Sequence, residues 1–194
     1  MTAPSRLDPA RTALLMIDAQ EEYFAPDGPN RLPAGPAALD RAAALLADAR
    51  AAGARVVHVR HVSDHPMAEE FRIGTPEVEI RAEVAPAGGE PVIDKRSISA
   101  FAGTPLEQTL REWGIETVII AGFMTQTCCT ATAHEAISRR YRTLFASDAT
   151  AAQDYGPQPH DVVHERALET QRQLGAEVMP AEGIRSLLEA PAPA

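Results

Sequence analysis

The chain of 194 residues carries a net charge of −9, with 45% hydrophobic and 23% charged residues, which suits one sizeable core. No apolar run approaches the ~20 residues that span a bilayer, and no basic stripe offsets the acidic charge. These features exclude a membrane-spanning protein and a nucleic-acid-binding protein. The apolar stretch before Asp18 is shorter than the ~7–15 residues of a signal peptide core, so we expect a cytoplasmic protein.

Strands and helices alternate through the first half of the chain. Residues 12–18 form a continuous apolar run ending in Asp, typical of a strand buried on both faces. A 3.6-residue period predicts a helix over 38–53 that ends at Gly53, and a second strand follows over 54–61. Residues 62–90 lack a strong period and contain three prolines. We interpret them as a long excursion that shapes a functional site.

The second half continues this alternation. The predicted strands are 91–95, 116–122, 142–148 and 177–180, and the predicted helices are 104–114, about 127–140, 162–175 and 184–190. Thr104 as N-cap and Pro105 as first helical residue mark the start of one helix clearly. The alternation indicates an α/β fold: a three-layer αβα sandwich around a mostly parallel, Rossmann-like sheet, in a single domain over residues 1–194.

Reactive side chains follow three of the predicted strands. Asp18 ends the first strand, Lys95 ends the third, and Cys128 lies just past the fourth. In parallel α/β sheets, ligands bind beyond the carboxyl ends of the strands. A carboxylate could take the thiol proton and pass it to a leaving amine, while a lysine steadies the anions. This trio is sufficient for nucleophilic acyl transfer.

The chain holds its two cysteines side by side, at 128 and 129. On a helix beginning near Thr127, the residues three or four positions after Cys129 are mostly apolar, and those after Cys128 become polar. Cys129 is therefore predicted to pack in the core and Cys128 to face a substrate. A helix N-terminus and a nearby Lys predict a lowered pKa for the Cys128 thiol.

Two other functions remain open at this point. One is a redox or peroxide-responsive thiol protein that uses the 128–129 pair, although adjacent cysteines are poor disulfide partners. The other is a non-catalytic scaffold or partner-binding module on the same fold.

Three segments resemble a known family. They are DAQEEYF (18–24), Lys95 followed by SAFAGTPLEQTL (99–110), and GFMTQTCCTATA (122–133). In this order they resemble the isochorismatase-like cysteine hydrolases, and the resemblance extends over about residues 11–184. It places the nucleophile at Cys128 and an ordinary position at Cys129.

The resemblance implies a six-stranded sheet and an Asp–Lys–Cys triad that acts on small amide, ureido or carbamoyl compounds without a cofactor. Asp18 would be the general base and acid, Cys128 the nucleophile, and Lys95 the electrostatic partner of both. The backbone N–H groups of Met124 and Cys128 would hold the oxyanion, next to a cis Phe123–Met124 peptide. A homodimer or homotetramer is also expected.

The sequence departs from the metal-binding members of the family. Nicotinamidases carry a D-x-H-P segment and a further His, whereas the nearest stretch here is HVSDHP (61–66). Two side chains do not enclose a catalytic metal, so we expect none. Phe24, His61 and Phe101 are the candidate substrate-binding residues.

Four other polar residues are given structural roles. His134, His160 and His164 are predicted to lie on the surface in helices, and Asp148 to accept hydrogen bonds from loop N–H groups.

Overall fold

Six parallel strands form one sheet in the order β3-β2-β1-β4-β5-β6. The computed structural model describes residues 6–26 and 28–188. The strands are β1 Thr12–Ile17, β2 Arg55–His61, β3 Val92–Lys95, β4 Thr117–Phe123, β5 Arg142–Ala151 and β6 Glu177–Met179. The strand order reverses between β1 and β4, as in doubly wound folds. The predicted Rossmann-like sheet is confirmed.

Helices cover both faces of the sheet. They are α1 Gly35–Ala52, α2 Leu106–Glu112, α3 Thr130–Ser138, α4 His160–Leu174 and α5 Ala181–Leu188. One core cluster joins α1 and α5 to one face of the sheet, and a second joins α2, α3 and α4 to the other face. Alternate residues of β1 enter the two clusters, which is why its whole run is apolar. None of the described helices is long and apolar enough to cross a membrane.

Several element boundaries differ from the prediction. The chain after β4 begins with a π-helical turn, Thr125–Cys129, and only then continues as α3. The helix α2 begins at Leu106 with Pro105 as its N-cap residue, so its start lies one residue later than predicted. The N–H of Leu106 still donates to the Thr104 hydroxyl over 3.2 Å. The last helix begins at Ala181 rather than at 184, and residues 189 and 190 of the predicted helix lie outside the described part of the chain.

The strand β5 extends three residues beyond its predicted end. A register shift against β4 between Ile120 and Gly122 accompanies the extension. Asp148 therefore lies within β5, where its carboxylate accepts the N–H of Ala181 over 2.6 Å at the start of α5. Asp148 thus accepts a backbone hydrogen bond as predicted, but the donor is the first residue of a helix and not a loop residue.

Gly122 lets β4 and β1 approach closely at the ends that carry the reactive residues. It pairs with Ile17, the residue before Asp18, and has a φ of +113°. A Cβ at this position would overlap the carbonyl oxygen of Ile17. Only glycine combines this positive φ with the absence of a Cβ.

A polar cluster connects the end of the 62–90 excursion to α1 and to the sheet. It consists of Arg50, His58 and Glu90. The Glu90 carboxylate accepts from Arg50 over 2.7 Å, from the His58 ring over 2.9 Å and from the Ala87 N–H over 2.8 Å. The hydrogen bond from Arg50 is the main reason that the pKa of Glu90 falls to about 2. The Glu90 side chain is 14% exposed, so solvent screens this cluster only in part.

We expect Gly122→Ala to lower the free energy of unfolding by about 3 kcal/mol or more, because the end of β1 must move to admit the methyl group. Urea denaturation measures the loss. Gly88→Ala is the control, since a Cβ there meets open space. Equal stability of the two variants would contradict the close approach.

We expect Glu90→Gln to lower the free energy of unfolding by about 1–2 kcal/mol near neutral pH. The pKa of Glu90 is depressed in the folded state, so its stabilisation is present above the unfolded value of 4.5 and is lost as the pH falls towards 2. The difference between variant and parent should shrink over this range. Denaturation at several pH values, with the exposed Glu70→Gln as control, provides the check.

Candidate active site

The structure brings Asp18, Lys95 and Cys128 together at the carboxyl edge of the sheet. Lys95 Nζ lies 2.7 Å from Asp18 Oδ2 and 3.3 Å from Cys128 Sγ. All three residues are at most 6% exposed. The sequence predicted this convergence, whereas the catalytic role of each residue stays a prediction.

Strand pairing sets the position of the acid and the amine. Lys95 is the last residue of β3 and stands in register with His61, the last residue of β2. Asp18 follows β1 with a φ of +47°, and its N–H donates to the carbonyl of Val59 over 2.9 Å. A left-handed backbone is uncommon for a residue other than glycine and is found at functional sites.

In the π-helical turn, the residues on either side of Cys128 donate hydrogen bonds to the same carbonyl. The N–H groups of Thr127 and Cys129 both donate to the carbonyl of Met124 over 3.2 Å. The Phe123–Met124 peptide bond is cis, as the resemblance implied. The turn thus wraps around Met124 and presents the Cys128 sulfur to Lys95.

The two cysteines belong to the same core cluster but differ in their contacts. Cys128 is 6% exposed and contacts Lys95, while Cys129 is fully buried. Both thiols are free. The predicted division between a packing thiol and a thiol at the site agrees with this arrangement, although the turn that carries them is π-helical rather than α-helical.

Burial dominates the electrostatics of the site. It raises the pKa of Asp18, and the attraction of Lys95 offsets this only in part. Burial also disfavours the Lys95 ammonium, but the charge of Asp18 and the hydrogen bond to the Cys128 sulfur outweigh it, and the pKa of Lys95 is raised. Burial and then the Asp18 charge raise the pKa of Cys128 to about 12. The predicted lowering of the thiol pKa is therefore wrong, and the thiol is protonated at neutral pH.

His61 adds a fourth polar group to the cluster. Its Nδ1 lies 2.9 Å from Lys95 Nζ. Burial and the Lys95 charge lower the pKa of His61 to about 4, so its ring is neutral near pH 7. The Phe71 ring packs edge-on against it with centroids 4.9 Å apart. Phe71 lies in the 62–90 excursion, so this segment forms one wall of the site.

Gln20 fixes the backbone at the end of β2. Its side chain accepts the N–H of His61 and donates to the carbonyl of His61, both over 2.8 Å, and it also donates to Val78 over 2.7 Å. Gln20 is fully buried. The DAQEEYF segment therefore supplies a support for His61 in addition to Asp18.

The two candidate aromatic residues lie in different places. The half-buried Phe24 ring contacts Phe123, next to the π-helical turn, with centroids 5.5 Å apart. The Phe101 ring contacts Arg139 and Tyr141, past the C-terminal end of α3, whereas Cys128 precedes the N-terminal end of this helix. These contacts are typical of a core residue, and a substrate-binding role for Phe101 stays a prediction.

His164 is half-buried, whereas the sequence predicted a residue on the surface. Its Nδ1 lies 2.9 Å from the hydroxyl of Thr125, the first residue of the π-helical turn, and burial lowers its pKa. His134 is exposed as predicted, and the partly exposed His160 pairs with Asp154 over 3.3 Å. His164 thus supports the turn from α4.

Asp18, His61 and Cys128 each offer a metal-ligating atom, and these atoms lie within 4.8 Å of one another. Lys95 Nζ is within 3.3 Å of all three, so a cation already stands among them. We therefore interpret these atoms as partners of the Lys95 ammonium and not as ligands of a metal ion. Asp64 pairs with Arg96 over 2.9 Å and the exposed His65 accepts from Met67, so the HVSDHP stretch is engaged in local contacts.

Comparison with known proteins agrees with this geometry. Residues 12–183 match the isochorismatase domain. The isochorismatase family protein YddQ of Bacillus subtilis is 37% identical over 140 residues, covering 72% of this chain and 77% of YddQ. The maleamate amidohydrolase of Pseudomonas putida is 34% identical over 164 residues, covering 78% and 76% of the two chains. The crystal structure of a cysteine hydrolase from Pseudomonas syringae pv. phaseolicola gives a TM-score of 0.88 at 26% identity, covering 97% and 98% of the chains. The chain therefore belongs to the isochorismatase-like hydrolase family.

Proposed function

We propose that this protein hydrolyses a C–N bond of a small amide, ureido or carbamoyl compound through a thioester on Cys128. The observation that carries the proposal is the buried contact of Lys95 with both Asp18, over 2.7 Å, and Cys128, over 3.3 Å. A relative that is named for amide hydrolysis, maleamate amidohydrolase, supports the type of bond.

The first half of the reaction forms the thioester. Asp18 takes the proton of the Cys128 thiol, and the sulfur attacks the carbonyl carbon of the substrate. The backbone N–H groups of Met124 and Cys128 stabilise the oxyanion that develops. Asp18 then gives its proton to the nitrogen, the C–N bond breaks, and ammonia or an amine departs.

The second half releases the product. Asp18 accepts a proton from water, and the hydroxide attacks the thioester carbonyl. The C–S bond breaks, the acid product leaves, and the sulfur recovers its proton from Asp18. Lys95 stays protonated throughout and faces whichever of its two neighbours is anionic, consistent with its raised pKa.

A proton relay through Asp18 suits the pKa values of the site. Burial and Asp18 hold the pKa of Cys128 near 12, so the thiol does not ionise by itself at neutral pH. Burial also raises the pKa of Asp18, which makes it a better proton acceptor than an exposed carboxylate. The redox alternative has no support beyond the adjacency of the two cysteines, which makes them poor disulfide partners.

We expect Cys128→Ala to lower kcat/KM by about 10⁴-fold or more, because no other group at the site can form the thioester. Cys129→Ala should retain turnover and lose about 1 kcal/mol of stability, as its side chain only fills the core. Ammonia release over a panel of amides, carbamoyl amino acids and ureas measures turnover, and mass spectrometry detects the acyl-enzyme. An active Cys128→Ala protein beside an inactive Cys129→Ala protein would refute the assignment.

The Asp18 carboxylate has two effects: it accepts the thiol proton in the reaction, and its charge raises the pKa of Cys128. We expect Asp18→Asn to separate them. Turnover should fall by about 10³-fold or more, since Asn accepts no proton. The negative charge that raises the pKa of Cys128 is also removed while Lys95 remains, so alkylation by iodoacetamide at pH 7 should become about 10-fold faster. Circular dichroism checks that the variant is folded. If alkylation slows together with turnover, Asp18 does not oppose the thiolate in the resting protein.

A further inference from the structure

Thr125 is the first residue of the π-helical turn that carries Cys128, and two of its own groups hold it in place. The residue is fully buried. Its carbonyl accepts the N–H of Thr130 and, over 2.6 Å, the hydroxyl of the same residue. Its own hydroxyl lies 2.9 Å from Nδ1 of His164 on α4. The carbonyl therefore closes the turn from within, whereas the hydroxyl connects the turn to another helix.

The hydroxyl of Thr125 differs from those of three other threonines in helices. The hydroxyls of Thr109, Thr130 and Thr170 each donate to a carbonyl four or five residues earlier in the chain. Such local hydrogen bonds can form in any helix, without help from the rest of the fold. The hydrogen bond of Thr125 joins residues 39 positions apart, so it forms only when α4 is packed against the turn.

His164 is itself held by the sheet. Its side chain makes a hydrogen bond with the backbone of Ser147, and burial lowers its pKa, so the ring is neutral near pH 7. Ser147 lies between Phe145 and Thr150, in the part of β5 where the register against β4 shifts. A neutral imidazole has one donor and one acceptor, and a hydroxyl can serve as either partner. His164 thus connects α4, the irregular part of β5 and the π-helical turn.

The carbonyls at the start of the turn hold the residues around Cys128. The carbonyl of Met124 accepts the N–H groups of Thr127 and Cys129, both over 3.2 Å, and the carbonyl of Thr125 accepts from the residue after Cys129. Single π-helical turns are rare and occur mostly at functional sites. Because Thr125 and Met124 share a peptide bond, a displacement of Thr125 would move both acceptors. The contact with His164 therefore bears on the position of Cys128.

We propose that His164 is a positioning residue that holds the π-helical turn through Thr125 and thereby sets the place of the Cys128 sulfur. The same turn carries the N–H groups of Met124 and Cys128, so their alignment on the oxyanion follows the position of Thr125. His164 acts through Thr125 and exchanges no proton with the substrate. The inference rests on the proposed function only for the role of these two N–H groups.

The first test measures the place of the sulfur without a substrate. Burial is the largest cause of the raised pKa of Cys128, so a turn that is released from His164 exposes the thiol and lowers its pKa. Alkylation by iodoacetamide at pH 8, in the Cys129→Ala background, should become about 5-fold faster in His164→Leu and in Thr125→Val. His164→Asn keeps a hydrogen-bonding group near the place of Nδ1 and should retain the slow rate of the parent.

The double variant shows whether the two residues act through one contact. If they do, Thr125→Val combined with His164→Leu is alkylated no faster than the faster single variant. His160→Leu is the matched control, because His160 lies one turn earlier on the same helix and pairs with Asp154. Its rate should equal that of the parent.

Three outcomes of the alkylation test would overturn the proposal. They are unchanged rates in both single variants, effects that multiply in the double variant, and a rate in His164→Asn as fast as in His164→Leu. Thr125→Ala replaces Thr125→Val if circular dichroism shows that the latter is unfolded.

The second test is kinetic. The oxyanion develops only in the transition state, so misaligned N–H groups should lower kcat of His164→Leu by about 10-fold and change KM by less than about 3-fold. His164→Asn should recover most of kcat. A loss confined to KM or to the free energy of unfolding would contradict a positioning role. Failure of the hydrolysis panel in the parent protein beside the expected alkylation pattern would sink the proposed function alone.

Discussion

The ion pair between Asp18 and Lys95 is the interaction on which the site depends. Both side chains are completely removed from solvent and lie 2.7 Å apart. Burying two charges costs several kcal/mol per ion, which a close partner and further hydrogen bonds must offset. Here Lys95 Nζ also donates hydrogen bonds to His61, Ser97 and Cys128. Each of these groups is held by backbone at a strand end or in a tight turn, so the pair persists only while the ends of the strands keep their places.

The topology of the sheet holds the ends of the strands in these places. The reversal of strand order places β1 beside β4, so the acid after one strand meets the thiol after the other. Gly122 removes the side chain that would hold these two strands apart. On the other side, the β2–β3 register delivers His61 and Lys95 as neighbours. A single layer of backbone hydrogen bonds thus fixes four groups from separate parts of the chain.

Sequence patterns predicted the parts of this arrangement that depend on local periodicity. An apolar run that ends in Asp18 and a short strand pattern that ends in Lys95 located the strand ends, and the parallel topology then brought those ends together. The role of Phe71 could not be predicted, because it lies in a stretch without a period and has a φ of +51°. The contact of His164 with Thr125 joins residues 39 positions apart, and apolar periodicity does not distinguish a π-helical turn from the first turn of an α-helix. The raised pKa of Cys128 was missed because a helix N-terminus and a Lys can be recognised in the sequence, whereas the depth of burial cannot.

Charge balance explains how a site that is buried from solvent supports ionic chemistry. With Asp18 ionised, Lys95 protonated, and His61 and Cys128 neutral, the buried cluster has no net charge. Transfer of the thiol proton to Asp18 leaves one anion and one cation, so the net charge is unchanged and the negative charge moves from oxygen to sulfur over at most 4.8 Å. In a low-dielectric interior, a change in net charge would be far more costly than such a shift. Lys95 lies within 3.3 Å of both positions and stabilises the anion before and after the transfer. A second buried cation at His61 would break this balance, which gives a physical reason for the pKa of its ring to lie near 4.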